Sequence, residues 1–234
     1  PKPLLEVAGK ALLARDLERL ARARYRNIVI NVSHLADRIT ARFGDGSRLD
    51  MRLLYSVEDF PRGTAGAVKA LGSASLSDDV LILYGGIYPD TDCGKMVQFH
   101  RSHQALATLV LHDCVRDTAR PRTPQGRTAP CDKMHACDGE PVALGPGQRI
   151  VDFPLYHPEA RPGPAVSPLW IIRRALLHFV PDGIASDFVK DVFPAAVKAG
   201  EALIGYHETG TLADIGTPDR YERFAKSLAR KKVV

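Results

Sequence analysis

The sequence has no apolar run approaching the roughly 18 residues that a membrane-crossing helix needs, and no basic segment leading into an apolar one at its start. Those absences lead us to expect a soluble, cytoplasmic protein with no membrane partner. Cysteine is scarce, with four residues, Cys93, Cys114, Cys131 and Cys137, spread through 234 positions in no regular framework, which fits reduced thiols. Runs of one charge are nearly absent. The net charge of +5 arises from 32 Lys and Arg against 27 Asp and Glu, interleaved as in Arg15-Asp16-Leu17-Glu18-Arg19, and only Arg230-Lys231-Lys232 forms a cluster. A solvated basic tail accounts for such a run, so no nucleic-acid partner is expected. There is no internal repeat.

What is present is ordinary for a globular chain: 45% hydrophobic and 25% charged residues, enough length for one domain with a large core, read here as residues 1–234. Helix-like and strand-like periodicity alternate. Leu12, Leu13, Leu17, Leu20 and Ala21 recur at helical spacing, and the β-rich Ile28-Val29-Ile30-Asn31-Val32 follows. A helix over 34–43, a strand over 51–57, a glycine-opened helix over 63–71, a continuously apolar strand over 79–84, a helix over 94–103 and a strand over 105–112 continue the pattern. Such alternation predicts an α/β fold with a doubly wound, mainly parallel sheet.

Residues 113–149 break the order, with Pro121, Pro124, Pro130, Pro141 and Pro146 among polar residues, and are expected to form a long irregular excursion. Short strands are expected at 150–153, 169–172, 203–207 and 212–215, and helices at 173–179 and 186–199. Ser186-Asp187 caps the start of the last of these and Gly200 stops it. A final helix opens at Thr217-Pro218.

Four stretches carry candidate chemistry. Lys2 lies in Pro1-Lys2-Pro3-Leu4-Leu5, and its ammonium either reaches an anionic ligand or is an exposed lysine. Gly63-Thr64-Ala65-Gly66 stands between a strand and a helix, where small residues let a flat base or ribose approach the backbone; glycine turns before helices are also common. Leu83-Tyr84-Gly85-Gly86-Ile87-Tyr88-Pro89-Asp90 is a strand end opening onto a glycine turn, and Asp214-Ile215-Gly216-Thr217-Pro218 places a carboxylate before a turn, as ligand or as cap. Asp90 and Asp92 read best as turn formers.

In this order, together with Val97-Gln98-Phe99-His100-Arg101-Ser102-His103 and the strand that follows, these motifs resemble the nucleoside-diphosphate-sugar pyrophosphorylases, or sugar-1-phosphate nucleotidyltransferases. The likeness is nearest to the heptose-1-phosphate and mannose-1-phosphate guanylyltransferases and runs to about Tyr221. It implies a Rossmann-like, GT-A-like nucleotidyltransferase fold. It also implies a reaction joining a sugar 1-phosphate to a nucleoside triphosphate, with GTP favoured, and releasing pyrophosphate. By the same likeness Lys2 and Asp214 are catalytic, and Asp214 holds Mg2+. Gly63, Thr64, Ala65, Gly66, Tyr84 and Gly85 contact the nucleotide, and His157 and Ser167 stand at the sugar-phosphate positions. A homo-oligomer is compatible with it.

The chain departs from the family's pattern at several points. The family's Gly-Gly-x-Gly-Thr-Arg turn would precede Lys2, so the expected domain lacks its first strand and phosphate loop. Gly86 stands where a metal-binding carboxylate is expected, Val166-Ser167-Pro168 replaces Asn-Ala-Gly, and Phe153-Pro154-Leu155-Tyr156-His157 replaces a lysine segment, with His157 also readable as a loop histidine. These losses imply impaired activity. They leave a non-catalytic nucleotide-sugar-binding relative, or a decayed copy, as alternatives. Cys131, His135 and Cys137 are soft ligands at a spacing outside the usual zinc patterns, and chance cysteines in a loop explain them better.

Overall fold

A computed structural model of the protein describes residues 2–7, 9–33, 35–89, 91–113, 140–154, 164–208, 212–214, 221–222 and 224–226; at 73, 88, 89, 113 and 212–214 it describes the backbone only. The chain opens with a short hairpin of β1 (Glu6–Val7) and β2 (Lys10–Ala11). It continues through α1 (Leu12–Arg22), β3 (Asn27–Val32), α2 (Ala36–Phe43), β4 (Arg52–Val57), α3 (Gly63–Ala70), β5 (Asp79–Leu83), β6 (Ile87–Pro89), α4 (Cys93–His103) and β7 (Ala107–Asp113). Then come β8 (Ala143–Leu144), β9 (Ile150–Asp152), β10 (Pro164–Arg173), α5 (Phe193–Lys198), β11 (Leu203–His207) and β12 (Leu212–Asp214). Among the described residues no helix is long and apolar enough to cross a membrane.

The main sheet has four strands in the order β11-β7-β10-β5. β11 and β7 are parallel, whereas β10 runs antiparallel to both β7 and β5. The fold is α/β, and the expectation of a mainly parallel sheet is corrected to a mixed one. Both faces are covered, which explains why the strand sequences are apolar without alternation. On β7 and β10, Leu109, Leu111, Trp170 and Ile172 pack with α3 and α5, while Val110, Leu169 and Ile171 pack with Met96 of α4. A second core under α1 gathers Leu13, Leu17, Leu20, Val32 and Leu53, with Leu81 of β5 packed against it. β3 and β4 form a separate parallel pair. Among the described residues no strand pairs with the second edge of β3, β4 or β5.

Pro168 would interrupt a regular strand because it cannot donate to a ladder. It is accommodated where the β10–β7 register shifts between Val166 and Trp170. The expected helix over 173–179 is a tight 3₁₀ segment, Arg174–Phe179. The expected helix over 186–199 begins as one wide turn, Phe188–Val192, before α5. Asp187 is its cap, its carboxylate accepting from the amides of Val189 and Lys190 at 2.9 and 3.1 Å. Of the expected excursion, residues 140–149 contain β8 and a short 3₁₀ turn, Pro146–Gln148, and 114–139 lie outside the described residues.

One core residue gives the fold a pH dependence. Asp16 of α1 is 2% exposed. Burial pushes its carboxyl up to about 7, against the opposing pull of Arg19 at 3.5 Å. Because the folded value lies above the unfolded one, the unfolded chain binds fewer protons between about pH 4 and 7, and stability falls as pH rises through that window. Asp16→Asn is therefore expected to raise the melting temperature at pH 8 relative to the parent, by an amount that shrinks towards pH 4. Paired thermal melts across this range check it, and an equal offset at every pH would refute it.

Candidate functional site

At the end of β5 the chain turns through Tyr84, Gly85 and Gly86 into β6. The turn is tied down from the neighbouring strand, since the Tyr84 amide donates to the Pro168 carbonyl at 3.2 Å, in the irregular part of β10. The Tyr84 ring meets Trp170 edge-on at 5.2 Å between centroids. Its hydroxyl lies near Thr64 and Asp187. Burial pushes the phenol well above its usual range, the Thr64 hydroxyl opposes this, and the Asp187 charge adds to it.

Thr64 joins this strand end to a segment more than 100 residues away. Its hydroxyl donates to one Asp187 oxygen at 2.9 Å and accepts from the Phe188 amide at 2.9 Å. The adjoining turn is held by the same segment: Ala65 and Gly66 amides both donate to the Ser186 carbonyl, at 2.9 and 3.2 Å, and the Ser186 amide donates to Arg62. Gly63 has φ +72. The α3 amides read as a nucleotide-facing positive end are thus partly satisfied within the protein, and Thr64 acts as a latch. Asp187→Ala is expected to lower stability by about 1–2 kcal/mol through loss of the cap and the latch. Asp187→Asn should lose less. Denaturant unfolding of the pair checks this, and equal losses would show that the carboxylate's hydrogen bonds are not the cause.

The residues assigned to phosphate and metal chemistry come together around Gly85 and Gly86. A Cβ placed on Gly85 would lie 3.6 Å from Pro3, so the Lys2-Pro3 segment borders the turn, with Lys2 itself exposed. Asp214 pairs across β12 and β6 with Ile87, the residue after Gly86, so its backbone stands beside the position that lacks a carboxylate. Nothing lies within 4 Å of a Cβ built on Gly86. Among the described residues no group of three His, Cys, Asp or Glu side chains could hold a metal. Asp214, whose backbone alone is described, is the carboxylate position beside the turn, and Mg2+ there would need phosphate oxygens and water to complete its shell.

Other sites fall elsewhere. Asp92 caps α4 through the amides of Gly94 and Lys95, as a turn former does. Ser167, expected at the sugar phosphate, is 0% exposed with its hydroxyl 2.9 Å from Nδ1 of the buried His112, so it faces the core. Asp90, His157, Cys114, Cys131, His135 and Cys137 lie outside the described residues. One group escaped the sequence reading. Glu58 follows β4, its amide donates to Val32 at the end of β3, and one carboxylate oxygen is shielded from solvent with no hydrogen-bond partner among the described residues. The sequence signal was an acid directly after an apolar strand, at the end of the parallel pair where ligands gather in α/β sheets.

Residues 1–119, just over half of the chain, match the nucleotidyl transferase family. The chain belongs to that family. A mannose-1-phosphate guanylyltransferase of Mycobacterium tuberculosis is 28% identical over 232 residues, covering 98% of this chain and 59% of the relative. A UTP–glucose-1-phosphate uridylyltransferase of Synechocystis is 26% identical over 243 residues, covering 99% and 59%. The chain therefore spans about three-fifths of the length of these nucleotidyltransferases. Among solved structures, HddC from Yersinia pseudotuberculosis complexed with GMP-PN superposes with a TM-score of 0.72 at 17% identity, covering 97% of this chain and 90% of HddC. This last likeness shows the nucleotidyl transferase fold, and the two sequence matches uphold the resemblance to sugar-1-phosphate nucleotidyltransferases.

Proposed function

We propose that this chain is the nucleotide- and sugar-phosphate-handling part of a guanylyltransferase for a mannose- or heptose-type sugar 1-phosphate, with chemistry slowed by Gly86. The observation that carries this reading is the convergence of Pro3, Gly85, Gly86 and the Asp214 strand at the end of β5, beside the latched Gly63–Gly66 turn. In the reaction a sugar-phosphate oxygen forms a bond to the α-phosphorus of GTP, and the bond from that phosphorus to the β-phosphate bridging oxygen breaks, releasing pyrophosphate. Lys2 offsets phosphate charge, and the turn holds the nucleotide in line. Mg2+ held by Asp214 and the phosphates would neutralise further charge. Glu58 favours guanine: an unpartnered carboxylate can accept from both N1–H and the exocyclic amine, where uracil offers a single N–H.

The open edges of β3 or β4 and of β5 suit one further strand, and we propose that the family's first strand, with its glycine turn, occupies that place. A second reading, a binding module without turnover, is favoured by the missing Gly86 side chain together with the internally satisfied amides of Ala65 and Gly66. Calorimetric titration with GTP and UTP, paired with a pyrophosphate-release assay using mannose 1-phosphate, separates the two. We expect roughly millimolar GTP binding and turnover near background for the 234-residue chain. Glu58→Gln should erase any preference for GTP over UTP. Micromolar binding with rapid turnover would overturn the impaired-enzyme reading.

A further inference from the structure

Lys69 near the end of α3, Asp78 and Asp79 at the start of β5, Arg173 at the end of β10, and Arg174 and His178 beyond it line a cleft of about 750 Å³. That size suits a small ligand. The cleft lies at the opposite end of β5 from Tyr84, about 15 Å away at the rise of an extended strand. It is therefore separate from the nucleotide turn.

The charges in it are unevenly matched. Lys69 pairs with Asp182 at 2.7 Å and Arg174 with Asp78 at 2.8 Å, but the two carboxylates are 94% and 91% exposed. Exposed pairs of that kind are weak in water and yield easily to a competing anion. Arg173 is the decisive residue. It stands directly opposite Asp79 in the antiparallel register, where opposite charges ordinarily pair. Asp79 turns instead to His100 at 3.5 Å and Arg101 at 3.9 Å. The half-buried Arg173 guanidinium is left without a hydrogen bond or ion pair among the described residues. Its charge is felt at His100, whose imidazole is pushed below its usual range by burial first, and by Arg173 and Arg101 against the pull of Asp79. A planar guanidinium without a counter-ion among the described residues, in a cleft that Lys69 and Arg174 also line, suits a tetrahedral oxyanion. Lys69 and Arg174 are steadied by the Val180 and Leu76 carbonyls, while their carboxylate partners can swing into solvent.

We propose that this cleft is a second ligand site that binds a small phosphate ester, with Arg173 as its central contact and Lys69 and Arg174 closing on the phosphate. The volume exceeds that of phosphate alone, so the organic part of an ester is accommodated along the wall formed by the 174–178 segment.

Isothermal titration of the whole chain with glycerol 3-phosphate and with inorganic phosphate tests this. Saturable binding at one site is expected, with a dissociation constant on the order of 0.1–1 mM, and the ester should bind more tightly. Arg173→Gln should weaken it by about tenfold or more and Arg173→Lys by less, because lysine keeps the charge and loses the fork. Lys69→Gln gives a second reading should Arg173→Gln fail to melt cooperatively. Glu58→Gln, at the nucleotide end, should leave binding unchanged. Tighter binding of inorganic phosphate would uphold the site and identify the free anion as its occupant. The absence of saturable binding, equal affinity in a folded Arg173→Gln or Lys69→Gln variant, or loss in Glu58→Gln would overturn the proposal.

Discussion

Gly86→Asp is expected to raise pyrophosphate release from GTP and mannose 1-phosphate by about 100-fold, measured in magnesium on the chain together with any native upstream residues. A metal ligand restored beside the reacting phosphates supplies on the order of 3 kcal/mol, or two powers of ten. The substitution is sterically permitted, since Gly86 lacks a positive φ and a Cβ there meets nothing within 4 Å. The new carboxylate would stand next to Ile87, which the backbone of Asp214 opposes across the β6–β12 pair. Gly86→Asn keeps the size of the new side chain and removes most of its metal affinity, so the gain should be largely absent from it. A similar rise in both variants would point to stiffening of the turn in place of metal binding, and no rise in either would sink the site assignment.

The opposite outcome is expected at Gly63, where any side chain should cost both fold and ligand. A Cβ there would sit 2.4 Å from the Ser186 carbonyl oxygen, 2.8 Å from its carbon and 2.9 Å from its nitrogen. All three are backbone atoms, and the same carbonyl accepts from Ala65 and Gly66, so relief by a side-chain rotation is impossible. The φ of +72 adds the usual left-handed penalty. Gly63→Ala should lose about 2–4 kcal/mol, or roughly 5–15 °C in melting temperature, and weaken nucleotide binding by displacing the turn. Gly72 provides the comparison, having φ +76 with nothing within 4 Å of a built Cβ. Gly72→Ala should cost only the conformational part, about 1 kcal/mol. If the two variants melt together, the clash with Ser186 is not what fixes Gly63.

The contrast between these glycines bears on how much the sequence disclosed. Periodicity located α1, α3, α4 and β5 closely because their apolar spacing reflects burial against neighbours on known faces. It also marked Asp187 as a cap and Gly63 as the opening of a helix. What local pattern could not reveal were contacts made across long separations. Nothing near Thr64 indicates that its hydroxyl binds Asp187, or that the Ser186 carbonyl takes the amides of the turn. Ser167 was read as a ligand contact from its place in a motif, yet a one-sided shift in the β10 register turns it towards His112. The direction of β10 was equally invisible, because strands buried on both faces read the same whichever way they run. Glu58 was passed over since an acid directly after an apolar strand is a weak signal until its burial is known.

The open edge of β5 bears on the rigidity of the site. Among the described residues β5 is hydrogen-bonded on one side only, to β10, and it carries Tyr84, Gly85 and Gly86 at its free end. Mechanically it is a cantilever clamped along a single edge, with the Tyr84 to Pro168 bond as its outermost fastening. In the 234-residue chain, without a further strand on that edge, backbone amides of 79–83 that point away from β10 should then exchange with solvent faster than those of β7, which is held on both sides. Loosening the register shift in β10 would be transmitted to Tyr84, Gly85 and Gly86, so the stiffness of the proposed nucleotide platform is set by a neighbouring strand that need not touch the ligand.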